Sequence, residues 1–159
     1  MASEMDSLTE KNTWELVNRS DDQNLVTNKW IFVKKKLQDG KQKFKARLVA
    51  RGFTQKAGVD YDNIYSPVAR ADSLRVVISI ATQLSLDFIQ FDVATAFLNA
   101  QIDREVYMEQ PQGFNDGSGR VCKLKKSLYG LCQSPMLWNK TFAEFLVTLD
   151  FKQLATDQW

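Results

Sequence analysis

The sequence predicts an α+β fold, and three observations predict it. DSLRVVISIATQLSL and the stretch after Ser134-Pro135 carry apolar residues at helical spacing. KWIFVKKKLQDGKQKFKARLVARGF reads as two strands around a turn. The strand and helix segments do not alternate in a repeating strand-helix-strand rhythm, which argues against a doubly wound parallel sheet.

Residues 3–11 read as a short helix with Ser3 as its cap. Next comes the hairpin. Asp39-Gly40 marks its turn, because glycine accepts positive φ at no steric cost. Trp30, Phe32, Phe44 and Leu48 supply one apolar side, while lysines and Arg47 line more exposed positions. From Gly52 to Arg70 the chain is loop-rich. Asp72 or Ser73 caps the following helix, on which Leu74, Val77, Ile78, Ala81 and Leu84 form an apolar face. LDFIQFDV reads as a short apolar strand ending at Asp92, and another strand is expected around Val106–Met108. PQGFNDGSGR is a turn-rich loop, and VCKL a short strand. Ser134 caps the last helix and Pro135 suits its first turn; Leu137, Phe142, Phe145, Leu146 and Leu149 give it a broad apolar face.

Composition narrows the chemistry. The 159 residues suffice for one domain with a core. There is no histidine, which excludes Ser-His-Asp and Cys-His nucleophiles and histidine-held zinc. Two cysteines, Cys122 and Cys132, make neither a four-thiolate site nor a disulfide framework and are expected as reduced thiols. No apolar run approaches the ~18 residues of a membrane span. MASEMDSLTEK has no apolar signal core, so an intracellular rather than a secreted protein is expected.

Net charge is only +2 but segregated. Residues 29–56 hold eight lysines and two arginines against Asp39 alone, a local +9. Such a field suits a polyanion. Lysine-rich strand edges that resist aberrant pairing would look the same.

Three candidate groups follow. A carboxylate ending an apolar strand, Asp92, suits Mg²⁺, which takes one or two protein carboxylates and completes its shell with phosphate and water. It equally suits a cap for the turn after it. Val93, Ala94, Thr95 and Ala96 are compact enough for their backbone N–H groups to approach a phosphate, with Phe97 beside the sugar, or Phe97 is simply core. Lys45, Arg47 and Arg51 fall at period two and are expected on one side of a strand. Arg47 has the fork that clamps a phosphate bidentately and Lys45 acts as a point charge; ordinary surface charge is the alternative.

NLVTNKWIFVKKK, DGKQKFKARLVARGFTQKAGVDY, YSPVAR, FDVATAFLNA, VYMEQPQGF and VCKLKKSLYGLCQSPMLWN together resemble the reverse transcriptase domain of copia-type LTR retrotransposons. The resemblance runs from near Ala2 almost to the end. It implies a partial right-hand polymerase fold over 1–159, with about 1–70 as fingers and about 71–159 as palm with interleaved fingers elements. It makes Asp92 the first metal-binding aspartate and Val93 the backbone metal contact, with Mg²⁺ as cofactor. Ala96 and Phe97 match the nucleotide pocket, the aromatic ring acting as a sugar gate. Tyr129, Gly130, Gln133 and Ser134 match the segment supporting nucleotide and template, and Lys45 and Arg47 become triphosphate contacts. RNA template, DNA primer-template duplex and deoxynucleoside triphosphate are the implied partners.

The chain departs from that pattern in four places. Cys132 and Met136 stand where such sequences usually carry lysine and arginine, and Ala100 replaces a frequent glycine. The Tyr-x-Asp-Asp hairpin bearing the other metal ligands does not occur, and neither Asp150 nor Asp157 sits in such a motif. The expectation is a reverse transcriptase fragment inactive by itself, or a non-catalytic nucleic-acid-binding remnant. Exposed apolar faces at Phe91, Leu98 and the last helix are expected with it.

Overall fold

The computed structural model describes residues 1–36 and 40–154. Helix α1 spans Ala2–Glu10 and buries Leu8. Its N-cap is Met1 and Ser3 lies inside the first turn, so the expected serine cap is not formed. The helix ends through Thr13, fully buried, whose backbone N–H and hydroxyl both donate to the Leu8 carbonyl, at 3.0 and 2.7 Å. The Thr13 carbonyl in turn accepts from Lys125 and Lys126. One residue thus closes a helix and ties it to a distant loop.

The main sheet has four short strands: β1 (Trp14–Val17), β2 (Leu25–Val26), β5 (Tyr107–Met108) and β6 (Val121–Leu124), in spatial order β1-β6-β5-β2. β6 runs antiparallel to β1 and β5, with Trp14 opposite Leu124 and Met108 opposite Cys122; β2 runs parallel to β5. The sequence reading places β5 and β6, at Val106–Met108 and VCKL, but does not place β1 and β2.

The second sheet is the expected hairpin, β3 (Asn28–Lys36) with β4 (Gln42–Ala50). Asn28 pairs with Ala50 and Lys36 with Gln42. Gly40 takes φ +78°, as the turn reading requires; Asp39 lies outside the described residues, as does Asp157. Facing partners share one side of a sheet. Trp30, Phe32, Phe44 and Leu48 therefore share one face, and Lys29, Lys35, Lys43, Lys45 and Arg47 the other. The base of the hairpin is core: Leu48 and Ala50 cluster with Leu8, Val26, Leu98, Val106, Met108, Cys122, Leu124, Leu128 and Leu131.

Helix α2 (Ala71–Gln83) forms where the periodicity places it. Its N-cap is Arg70 in extended conformation; Asp72 sits in the first turn, paired with Arg75 at 3.0 Å, and neither Asp72 nor Ser73 caps it. Of its apolar face only Ala81 is buried, while Leu74, Val77, Ile78 and Leu84 remain exposed. The expected strand over LDFIQFDV is not formed. A strand exists only through a partner's hydrogen bonds, and among the described residues none pairs with this run; Phe88, Ile89 and Phe91 stay exposed. Among the described residues two short 3₁₀ turns occur, at Gly52–Thr54 and Ala96–Asn99.

Helix α3 (Ser134–Thr148) begins with proline in its first turn, but its N-cap is Gln133. The Ser134 hydroxyl donates backwards to the Leu128 carbonyl (2.6 Å) and accepts from Ser127 (2.6 Å), so serine fastens the preceding loop rather than capping the helix. Leu137 is buried, whereas Phe145 and Leu149 are exposed as expected. Leu98, expected to be exposed, is instead 3% accessible. The turn carrying it packs on α3 and fills the core.

Candidate functional site

Three segments meet at the root of the hairpin. The first is β4, leading through Arg51 into the 3₁₀ turn. The second is the loop 127–133. The third is the turn at 96–99. Backbone hydrogen bonds join the first two: the Tyr129 carbonyl accepts from Ala50 (2.7 Å) and the Gly130 carbonyl from Gly52 (3.0 Å). The approach is close enough to require glycine twice. Gly130 has φ +91°, and a Cβ there would lie 2.0 Å from the Ala50 carbonyl oxygen. A Cβ on Gly52 would lie 2.2 Å from the Gly130 oxygen. The Ser127 N–H donates to the Ala100 carbonyl (2.9 Å), fastening the third segment to the second.

This locking stacks three side chains. The Arg47 guanidinium lies over the Tyr129 ring, 5.1 Å from its centroid. The Tyr129 ring meets the Phe97 ring edge-on, with centroids 4.6 Å apart. Tyr129 and Phe97 are half-buried, as is Arg47. A guanidinium spread on an aromatic face keeps its fork free for an anion. Lys45 stands exposed on the same hairpin face, two residues towards the tip. Of the sequence-derived candidates the structure thus brings together Arg47, Phe97, Tyr129 and Gly130. Ala96 adjoins Phe97 and is half-buried, and Lys45 flanks the cluster.

Gln133 is placed differently. It is fully buried, its amide donating to the Asp60 carbonyl (2.8 Å) and accepting from Gln55 (3.0 Å). Gln55 also accepts from the Cys132 N–H (2.8 Å). Asp60, itself buried, accepts from the Lys56 N–H and the Asn24 amide, each at 2.6 Å. Gln133 therefore acts on its surroundings through Gln55 and Asp60, holding the loop 51–61 against the loop 127–133. Sequence reading passes over Asp60 and Gln55, since an acid and an amide in a loop carry no local sign of a partner some 70 residues away.

Asp92 and Val93 lie on the extended segment before the 96–99 turn; Asp92 is exposed and Val93 half-buried. The Asp92 carboxylate makes no hydrogen bond or ion pair among the described residues, so the capping alternative is not realised there. The turn after it starts from Thr95 in the left-handed region (φ +50°), without a side-chain cap. No group of three or more acidic, histidine or cysteine side chains is gathered for a metal among the described residues. Two-metal chemistry needs several carboxylate oxygens around ions about 3.5–4 Å apart, and Asp92 supplies one carboxylate. The residues described fit one corner of such a site and do not complete it.

Both cysteines are free thiols, as expected. Burial pushes the Cys122 thiol up to about 12, which leaves it an inert core group. Cys132 donates weakly to the Gly52 carbonyl (3.4 Å), inside the lock. No helix among the described residues is long and apolar enough to cross a membrane.

The family model for reverse transcriptase (RNA-dependent DNA polymerase) matches residues 11–158. The chain belongs to the reverse transcriptase family. It is 42% identical over 160 residues to the retrovirus-related Pol polyprotein from transposon TNT 1-94 of Nicotiana tabacum, covering 99% of this chain and 12% of that protein. It is 40% identical over 161 residues to the retrovirus-related Pol polyprotein from transposon RE1 of Arabidopsis thaliana, and 39% identical to that from transposon RE2. Each of these two alignments covers 99% of this chain and 11% of the relative. The reverse transcriptase chain thus spans about one ninth to one eighth of the curated relatives it matches. No solved structure matches it significantly.

Proposed function

We propose that this chain is the fingers and first palm portion of a copia-type RNA-directed DNA polymerase. In this reading about 1–70 are fingers and about 71–159 palm with interleaved fingers elements. One observation carries it: the Arg47–Tyr129–Phe97 stack, with Lys45 beside it, in a chain of this family. The cluster offers cationic donors for a triphosphate and an aromatic wall for its sugar, so the residues bind and orient. The nucleic-acid partners are an RNA template and a primer-template duplex, and the nucleotide is a deoxynucleoside triphosphate. Asp92, with the Val93 backbone, is one corner of a Mg²⁺ site; when bound, the metal supplies charge stabilisation to the transferring phosphoryl group. Losing the other carboxylates removes most of that stabilisation, so the 159 residues alone do not extend a primer.

Primer extension with Mg²⁺ or Mn²⁺ tests this. No incorporation is expected. Template-dependent incorporation by this chain, abolished by Asp92→Asn, would show that it carries a complete site. A second reading, a nucleic-acid-binding remnant without catalysis, is favoured by the +9 charge of residues 29–56. Both readings require salt-dependent binding of nucleic acid.

A further inference from the structure

The turn that carries Phe97 is held by a side chain of its own. The Asn99 amide donates two long hydrogen bonds to backbone carbonyls of that turn, at Thr95 (3.4 Å) and Ala96 (3.3 Å). Its Oδ1 accepts from the Lys11 ammonium (3.1 Å), which comes from the end of α1, 88 residues away in the chain. The three partners leave the amide one orientation. An ammonium only donates, so it takes the oxygen; backbone carbonyls only accept, so they take the N–H groups. Lys11 is exposed but rooted. It is the C-cap of α1, between the buried Leu8 and Thr13, where the helix end favours a cation.

The turn needs such a hold. Thr95 has φ +50°, a left-handed conformation that strains a β-branched residue and persists only where its surroundings enforce it. The second half of the turn is anchored in the core: Leu98 and Ala100 are buried, and the Ala100 carbonyl accepts from Ser127. The first half carries the half-buried Phe97 ring. Asn99 ties that half to the anchored one by reaching back to the carbonyls three and four residues earlier. Those carbonyls belong to the peptide planes on either side of Ala96, so fixing them fixes the direction in which Phe97 leaves the backbone. We propose that Asn99, its amide oriented by Lys11, is a positioning residue that holds Phe97 against Tyr129 and thereby sets the selection of deoxyribose over ribose. This role rests on Phe97 walling the sugar, as proposed above.

Two measurements on the full chain test it. In nuclear magnetic resonance spectra the wild type should show Overhauser effects between the Phe97 and Tyr129 rings, which meet at 4.6 Å. These should fade in Asn99→Ala, and in Asn99→Asp, which keeps oxygens for Lys11 but loses the N–H donors. Lys11→Met should weaken them, and Lys11→Arg, still a pure donor, should keep them. The second measurement is binding of dATP and ATP, which differ only at the 2′ position, with an RNA template annealed to a DNA primer and Mg²⁺ present. Wild type should favour dATP by about tenfold or more, and both Asn99 variants and Lys11→Met should bring that ratio to within about threefold of one. A purely structural role would instead lower the urea midpoint and weaken both nucleotides alike, leaving the ratio unchanged. Ring contacts that survive in both Asn99 variants overturn the proposal, as does a ratio that stays at the wild-type value once they are lost. A wild type that binds both nucleotides equally overturns it too. Lys11→Met that matches wild type in both measurements removes Lys11 from the role. If the wild type binds neither nucleotide, the sugar-wall reading fails, and the ring contacts alone decide whether Asn99 positions Phe97. Should an Asn99 variant not fold, Lys11→Met, at an exposed position, carries the test.

Discussion

Residues 64–91 and the root of the hairpin are equally apolar in sequence and opposite in fate. At the root, Leu48, Ala50, Leu128 and Leu131 are within a few per cent of full burial. In 64–91, Val68 is 84% exposed, Ile89 87% and Phe91 74%, and α2 buries Ala81 alone. The root is cross-linked by groups that demand each other. The Ala50 N–H and the Gly52 N–H are satisfied by one loop, and Gln133 is satisfied by another. The exposed region has helical periodicity, and its backbone hydrogen bonds among the described residues stay local. Apolar patterning states which face wants covering; only long-range polar pairing and close backbone approach state what covers it.

The largest effect is expected where the locking is tightest. Gly130→Ala adds a Cβ 2.0 Å from a backbone oxygen and 2.6 Å from Val49 Cγ1, at φ +91°. Neither strand nor loop can yield without breaking the Ala50–Tyr129 hydrogen bond. The variant should lose at least about 4 kcal/mol, enough to unfold a domain of ordinary stability. Urea denaturation followed by circular dichroism reads this. Gly58→Ala is the comparison, since it also has positive φ (+77°) but open space around it, and should cost only about 1 kcal/mol. Equal losses at the two positions would mean that backbone conformation, not close approach, makes Gly130 necessary.

A paired truncation sets the two regions against each other directly. Leu48→Ala removes a fully buried side chain and should cost about 2–5 kcal/mol. Val77→Ala removes one that is 53% exposed on α2 and should change stability by less than about 0.5 kcal/mol. Hydrogen exchange should show the same division, with fast exchange in α2 and protection in β4 and β6. A loss above about 2 kcal/mol for Val77→Ala would mean that α2 is covered in solution.

These contrasts show what sequence can reveal. The hairpin is legible because period-two alternation and a glycine turn are local signals. So is α2, whose 3.6-residue period needs no partner to be read. The LDFIQFDV strand misleads because an apolar run promises a strand without naming the strand beside it. β1 and β2 are invisible for the converse reason: they exist only because β6 and β5 pair with them. At the candidate site, residue type and resemblance point to Arg47, Phe97, Tyr129 and Gly130, and the fold gathers them. The same logic points to Gln133, yet it faces Gln55 and Asp60 in the interior. A glutamine looks the same in sequence whether its amide serves a ligand or a neighbouring loop.

The smallest effect concerns the loop that carries Gln112 and Phe114 to Trp30. Its centre is Asp116, which accepts from the Ser118 hydroxyl (2.5 Å), the Ser118 N–H (3.0 Å), the Gln110 amide (2.8 Å) and Arg120 (2.6 Å). Ser118, then Gln110, then Arg120 hold its carboxyl far below the ordinary carboxylate range. Because the folded state favours the ionised form, its contribution is present at neutral pH. It fades as pH falls through about 4, where an unfolded aspartate is half protonated, towards the depressed folded value. Asp116→Ala should therefore be less stable than wild type at pH 7, with a gap in urea midpoint that narrows steadily below about pH 4. The group is solvent-accessible, so added salt should shrink only the share contributed by Arg120 and spare the Ser118 and Gln110 hydrogen bonds. A gap that stays constant down to about pH 2 would mean that the loop is held by its backbone turns, leaving Trp30 packed against Phe114 whatever the charge on Asp116.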